Sequence, residues 1–277
     1  MSWLLTLLSG GIVGFSLGLT GGGGAIFAVP LLVYGLGVAP REAVGISLAA
    51  VGVTSFFGFL GRWRARKVEI RTGLVFAVAG MLGAPIGSWL SGLIPETVLL
   101  TLFAVLMLIL ALRMWSKASE PGSAGLPVAC STEAADVDGP ACRRDNNGNL
   151  LLTSRCAWLL AFVGVATGVL SGLFGVGGGF VIVPALVLFS GMAIHRAVGT
   201  SLLVITLVSI SGIASHLFAG RSISVETTAL FVVGGVGGLL LGNLAGRRLS
   251  GPALQKLFAV AIVVVAIFVF IRTVSLS

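Results

Sequence analysis

Two glycine-rich stretches decide how this chain folds: GLTGGGG at residues 18–24 and GLFGVGGG at residues 172–179. Each interrupts a longer apolar segment, of residues 3–38 and 157–193 respectively. A single helix over residues 3–38 would be about 54 Å long, whereas the hydrocarbon core of a bilayer is about 30 Å thick. Because glycine weakens a helix and permits positive φ, we expect each segment to fold back at its glycines, as two short helices or a re-entrant loop.

The composition around these stretches is that of a membrane protein. Of 277 residues, 57% are hydrophobic and 9% are charged, whereas soluble domains carry about 25% charged residues. Three apolar spans follow each broken segment, at residues 42–61, 72–93 and 98–115 and at residues 196–218, 226–245 and 253–271. The sequence therefore predicts an all-α polytopic protein whose main partner is the lipid bilayer.

The two halves of the chain are copies of one another. At an offset of 154 the sequence AVGISL at residues 43–48 falls on AVGTSL at residues 197–202, and the glycines of the two broken segments coincide. This pattern predicts two homologous repeats, residues 1–115 and 156–277. The stretch between them, residues 116–155, is rich in Gly, Ser, Pro, Asp and Asn, and we expect a flexible polar linker there.

The predicted hairpins bear on topology. A hairpin adds an even number of crossings, so each repeat crosses the membrane an odd number of times and the second repeat is inverted. With inverted repeats and both termini outside, 14 of the 17 Lys and Arg residues lie in the cytoplasm, and Arg41, Arg221 and Arg272 lie outside. Parallel repeats would place only 12 inside, so the positive-inside rule favours inversion.

These motifs resemble the TauE/SafE sulfite exporter family of membrane permeases. The resemblance rests on the duplicated G-x-x-x-G-L-x-G-x-G-G stretch, on Val29-Pro30 and Val183-Pro184, and on the duplicated AVG-[TI]-SL motif. It covers both repeats but not the linker. It implies transport of a sulfur-containing or organic anion, such as sulfite or a sulfonate, across the cell membrane. The first copy departs from the motif at Ile46, where the second has Thr200, which predicts a site with unequal sides.

Glycine N–H groups at the two breaks are the first candidates for binding an anion. Helices restarting at Ala25 and Phe180 would leave N–H groups without partners near the middle of the bilayer, and a helix N-terminus attracts anions. The alternative is that these glycines only permit close helix packing. The candidate substrate-binding glycines are Gly21, Gly23, Gly24, Gly175, Gly177 and Gly178.

Polar side chains early in the following span are further candidates. Ser47, Thr200 and Ser201 offer hydroxyl donors, for which ordinary interhelical hydrogen bonding is the alternative. Arg41, His195 and Arg196 precede these hydroxyls and are candidates for attracting or gating an anion, or for anchoring the chain at the interface. His216 is a candidate proton carrier or a packed core residue.

Other function classes find little support. Glu42, Glu69, Glu96 and Glu226 lie at span edges and the other five acids lie in the linker, whereas cation pumps keep carboxylates inside the membrane. We find no nucleophile with a base, no metal motif and no nucleotide-binding motif, and predict no enzyme, no cofactor, no metal and no nucleic-acid partner. The sequence thus favours a secondary permease of a small anion. A membrane-embedded assembly partner and an anion channel are the alternatives, and a homo-oligomer is left open.

Overall fold

The computed structural model describes residues 2–66, 68–119, 154–190, 192, 194–220, 224–245 and 263. These residues are almost entirely helical and contain no β-strand. Apart from residue 263, they form nine helices: α1 (Ser2–Thr20), α2 (Gly23–Gly35), α3 (Pro40–Arg64), α4 (Ile70–Leu93), α5 (Glu96–Ser119), α6 (Ser154–Phe174), α7 (Gly179–Ser190), α8 (Ile194–Phe218) and α9 (Val225–Ala245).

Five of these helices are long and apolar enough to cross a membrane: α1, α3, α4, α8 and α9. Large apolar side chains such as Trp3, Leu82, Trp89 and Phe162 lie fully on the outside of the bundle. Such a surface is stable in lipid and not in water. The prediction of an all-α multi-pass membrane protein is therefore confirmed.

Both predicted helix breaks are present, close to the predicted positions. The chain leaves α1 at Thr20 and restarts at Gly23, two residues before the predicted start at Ala25. It leaves α6 at Phe174 and restarts at Gly179, one residue before Phe180. We call residues 21–22 the first glycine turn and residues 175–179, the last of which begins α7, the second glycine turn.

Each broken segment folds back as two helices. A methyl group placed on Gly24 in α2 would lie 2.6 Å from the carbonyl oxygen of Val13, so α2 packs against the preceding α1. A methyl on Gly178 would lie 3.1 Å from the carbonyl oxygen of Thr167 in α6. After its break, the second broken segment continues as a regular α-helix, α7, whereas α2, which follows the first break, runs from 3₁₀ through α to π geometry.

The other predicted spans begin and end within a few residues of the observed helices, with one correction. Residues 116–119 continue α5 and residues 154–155 begin α6, although both pieces were predicted to belong to the linker. Helical hydrogen bonds are made by the backbone, so a helix continues after its apolar side chains have ended. Residues 120–153 and the predicted span 253–271, except residue 263, lie outside the described residues.

Small residues control how the helices pack. A methyl group on Gly14 of α1 would lie 2.7 Å from the Cα of Gly235 in α9. A methyl on Gly168 of α6 would lie 2.8 Å from the Cα of Gly80 in α4. Close backbone contact through glycine is a common way for membrane helices to associate, because lipid supplies no hydrophobic force between them.

The centre of the bundle is formed by α3 and α8, the two most deeply buried spans. Gly52 of α3 contacts Ser209 of α8, Gly58 contacts Leu202, and Leu48 contacts Gly212. Since the contacting residue number falls in α8 as it rises in α3, the two helices run antiparallel. The first glycine turn contacts α8 at Val198, and the second contacts α3 at Val44.

Candidate functional site

The two glycine turns meet in direct backbone contact. A methyl group placed on Gly22 would lie 2.7 Å from the Cα of Gly179, and one placed on Gly179 would lie 2.6 Å from the Cα of Gly22. Real Cβ atoms do not approach other heavy atoms so closely, so only glycine fits at both positions. The contact joins the end of the first turn to the start of α7 and leaves no room for an anion between them.

Each glycine turn is hydrogen-bonded by one buried serine of a central helix from the other half of the chain. Ser47 of α3 donates its hydroxyl hydrogen to the carbonyl oxygen of Gly175, at 2.6 Å. Ser201 of α8 donates to the carbonyl oxygen of Gly21, at 2.8 Å, and also lies 2.9 Å from its own helix at Val198. The offset of 154 relates Ser47 to Ser201 and Gly175 to Gly21.

The glycines that accept these bonds have left-handed backbones. The φ angle of Gly21 is +75° and that of Gly175 is +71°. A methyl on Gly21 would lie 3.0 Å from the Cα of Val198, and one on Gly175 would lie 2.7 Å from the Cα of Val44. Conformation and space therefore both require glycine here.

The two turns differ in how their N–H groups are satisfied. Thr20 accepts a hydrogen bond from the N–H of Gly23 at 3.0 Å and donates its own hydroxyl hydrogen to Ser16. Phe174 stands at the corresponding position of the second turn and offers no side-chain acceptor. Gly177 and Gly178 are both left-handed, with φ of +66°, whereas Gly23 begins the helical geometry of α2.

Three buried serine hydroxyls make no hydrogen bond to any part of the chain that the structure describes: Ser55, Ser171 and Ser209. Their side chains are 0% exposed. A buried hydroxyl without a partner costs about 1–3 kcal/mol, so each calls for an explanation. Sequence reasoning missed all three, although Ser55 and Ser209 are related by the offset of 154 and the repeat alignment could have found them.

Arg62 was also missed, because sequence reasoning counted it only among the cytoplasmic loop cations. It lies in the last turn of α3, and its Nη2 atom donates to the side-chain oxygen of Asn243 at 3.2 Å and to the carbonyl oxygen of Gly18 at 3.4 Å. Its Nε atom is buried without an acceptor, and no carboxylate pairs with it among the described residues. The sequence feature that could have revealed Arg62 is its position at the end of a long apolar helix.

The other predicted site residues are spread more widely. Thr200 is fully buried, but its hydroxyl accepts the N–H of Glu69 at the start of α4, at 3.0 Å. Arg41 is exposed and forms an ion pair with Glu96 at 3.7 Å, which fixes it beside the start of α5. His195 and Arg196 are exposed at the start of α8. His216 is fully buried near the other end of that helix.

A small apolar cavity of about 10 Å³ is lined by Val29, Val44, Leu99, Phe103 and Phe174 among others. This volume would hold at most one water molecule. Its lining also lacks the polar partners that a bound water needs. The cavity is therefore a packing defect and no ligand site.

Comparison with known proteins identifies the family. The family model described as "Sulfite exporter TauE/SafE" matches residues 6–269. A "Probable membrane transporter protein" from Xylella fastidiosa (strain Temecula1) is 36% identical over 275 residues, covering 98% of this chain and 96% of the relative. "Probable membrane transporter protein YdhB" from Bacillus subtilis is 29% identical over 202 residues, covering 73% of this chain and 74% of the relative.

No solved structure matches the chain. The family model nevertheless spans both glycine turns, both serine bonds and the central pair α3 and α8. The described residues contain no cluster of His, Cys, Asp or Glu that could hold a metal ion. The chain is a multi-pass membrane protein that belongs to the TauE/SafE family of membrane transporters.

Proposed function

We propose that the chain is a secondary permease of a small anion, either sulfur-containing, such as sulfite or a sulfonate, or another organic anion, in the plasma membrane. The observation that carries this proposal is the direct contact between Gly22 and Gly179. Broken helices at corresponding places in two repeats mark the substrate site of many transporters. Here the two breaks touch, so the contact is the barrier that must open for an anion to pass.

The arrangement of the helices supports alternating access. Equivalent helices of inverted repeats run in opposite directions, and α3 and α8, which carry the duplicated AVG-x-SL motif, are antiparallel. We assign one repeat to residues 1–115 and the other to residues 156–277, joined by a tether. Because Ser47 and Ser201 each bind the turn of the other half, rocking of the repeats would stretch both bonds together.

Charge favours an anion as the substrate. Arg62 places a positive group beside α1 near the first turn, and no described carboxylate neutralises it. The described acids Glu42, Glu69, Glu96 and Glu226 all lie at helix ends. A cation would meet the partly buried charge of Arg62 with no described carboxylate paired to it, whereas an anion meets an attractive field.

The predicted site residues take different roles in this proposal. The glycines of both turns allow the close approach, and their N–H groups are candidates for contacting the substrate when the turns separate. Ser47 and Ser201 hold the closed state, and Thr200 supports the start of α4. The exposed cations Arg41 and Arg196, with His195, would attract anions at the entrances.

The test is flux into liposomes that contain only this protein, with radiolabelled sulfite and sulfoacetate as substrates. A carrier gives saturable uptake, and unlabelled substrate on the other side of the membrane accelerates the uptake of labelled substrate. Flux that rises linearly with concentration would indicate a channel instead. Absence of flux for both anions would overturn the proposal in favour of an assembly role.

Arg62 gives this experiment a matched pair of variants. Arg62→Gln should reduce sulfite flux at least about tenfold, because it removes the partly buried positive charge beside the first glycine turn. Arg64→Gln removes an exposed cation from the same helix end and should leave the flux nearly unchanged. Equal effects of the two substitutions would contradict a special role for Arg62.

A further inference from the structure

We infer that the hydroxyls of Ser171 and Ser209, beside the second glycine turn, are the side-chain donors that bind the transported anion. This inference rests on the permease function proposed above and names the residues of its substrate site. It differs from the sequence-based expectation, which assigned this role to Ser47, Thr200 and Ser201. The structure uses those three hydroxyls for backbone groups.

Both serines lie against the left-handed glycines of the second turn. The Oγ atom of Ser209 lies 3.9 Å from the position that a Cβ would take on Gly177. The Cβ of Ser171 lies 3.6 Å from the corresponding position on Gly178. Ser209 also packs against Gly52 of α3, so it stands where α3, α8 and the second turn come together.

These hydroxyls are available because nothing described in the chain occupies them. The side chains of Ser171 and Ser209 are 0% exposed, and neither Oγ atom has a hydrogen-bond partner among the described residues. Most serines and threonines inside membrane helices bond a carbonyl of their own helix, as Thr167 and Thr206 do here. Two unused donors at one turn indicate a ligand that is bound for part of the transport cycle.

The first turn lacks this arrangement, which makes the site one-sided. The residue corresponding to Ser171 is Leu17, and the residue corresponding to Phe174 is Thr20. Thr20 already accepts the N–H of Gly23, so the first turn satisfies this group within its own chain segment. The second turn has an additional hydroxyl in Ser171 and no such side-chain acceptor.

The remaining groups at the second turn suit an anion better than a cation. The carbonyl of Gly175 accepts the hydroxyl of Ser47, and the carbonyl of Gly178 accepts the N–H groups of Val181 and Ile182. The carbonyl oxygens of Gly175 and Gly178 are therefore already engaged, and the hydroxyl hydrogens of the two serines are left to donate. A ligand with hydrogen-bond-accepting oxygen atoms fits these donors.

The charge of the ligand follows from the same residues. No Lys or Arg occurs within two helical turns of Ser171 or Ser209 in their own helices. Neutral donors can hold one negative charge in a buried site more easily than two, since desolvation of a dianion costs far more. The substrate class is therefore a small monoanion with exposed oxygens, such as hydrogen sulfite or an alkanesulfonate.

Binding to purified, folded protein tests the inference, with sulfite and methanesulfonate as probes and the anion-dependent rise in unfolding temperature as the readout. Ser171→Ala and Ser209→Ala should each raise the Kd about tenfold or more, as expected for hydrogen bonds to a charged group. Without anion, both variants should unfold at the wild-type temperature or above it, because each loses an unpartnered buried hydroxyl. A merely structural serine would instead lower that temperature.

Ser55→Ala is the matched control, since Ser55 is equally buried and unpartnered but corresponds to Ser209 in the other half. Its Kd should equal that of the wild type. The inference is overturned if all three variants bind equally well, if Ser55→Ala weakens binding as much, or if only the sodium dependence changes. Wild-type protein that binds neither probe and transports neither sulfite nor sulfoacetate would instead remove the proposed function together with this inference.

Discussion

The two glycine turns are related by the sequence offset of 154 but differ in construction. In the first turn, the side chain of Thr20 accepts a hydrogen bond from the N–H of Gly23. Only one glycine of this turn, Gly21, has a left-handed backbone. The second has three left-handed glycines, Phe174 in place of the threonine, and unused hydroxyls beside it. In the proposed anion site, the first turn thus serves as a structural support and the second turn supplies the hydroxyl donors.

The largest effect is expected where the turns touch. Gly22→Ala or Gly179→Ala would place a methyl group within 2.7 Å of the opposite Cα, so the closed contact cannot form. Because this contact is the proposed barrier, we expect saturable sulfite flux to be replaced by a leak that rises linearly with concentration, and the free energy of unfolding to fall by about 1–3 kcal/mol. Gly237→Ala in α9, where a methyl would meet open space, should change neither. Wild-type flux in both turn variants would show that the contact is no barrier.

The next effect separates the two turns by backbone conformation. Gly177→Ala forces alanine into a left-handed backbone and should lower the free energy of unfolding by about 1–2 kcal/mol. Gly23→Ala places alanine in helical geometry and should be nearly neutral. Denaturation of both variants in mixed detergent micelles decides the point. Equal losses would mean that the turns are alike.

A smaller difference is expected between the two serine bonds. Ser47→Ala and Ser201→Ala each remove a hydrogen bond to a buried carbonyl and should lower the free energy of unfolding by about 1 kcal/mol. Ser47 should matter more, because its hydroxyl has one acceptor whereas that of Ser201 lies near two. The same denaturation assay measures both. A larger loss for Ser201→Ala would show that the first turn depends more on its serine.

The smallest effect concerns the threonine that distinguishes the first turn. Thr20→Val keeps the shape but removes the acceptor of the Gly23 N–H, and should lower the free energy of unfolding by about 0.5 kcal/mol. Thr101→Val is the control, since Thr101 only donates to a carbonyl of its own helix on an exposed face. If both substitutions cost the same, the first turn is not held by its own side chain.

The sequence predicts the breaks well because glycine acts locally. Glycine runs at residues 18–24 and 172–179 end helices through their own backbone properties, and both restarts lie within two residues of the prediction. Helix ends near 116 and 155 were less accurate, since composition there changes before the helix ends. The last apolar residue of a span and the last backbone hydrogen bond of its helix need not fall at the same residue.

The use of each hydroxyl could not be predicted, because it depends on contacts between distant segments. From their place after the glycine turns, Ser47 and Ser201 were candidates either for contacting the substrate or for ordinary interhelical hydrogen bonds. The structure uses them for carbonyls 128 and 180 positions away in the chain. The repeat alignment pairs Ser209 with Ser55 and could have drawn attention to it, but it does not distinguish a free hydroxyl from one bonded to its own helix.

The glycine face of α1 has a consequence for how the protein is made. Gly14 packs on Gly235 of α9, so the partner of α1 is synthesised 221 residues after it. The contact of Gly80 with Gly168 can form earlier, because α4 and α6 are closer in sequence. A nascent chain therefore waits with the glycine surface of α1 uncovered until α9 leaves the ribosome and enters the bilayer. During that interval two nascent copies on neighbouring ribosomes could exchange halves, since each α1 would accept α9 from either chain.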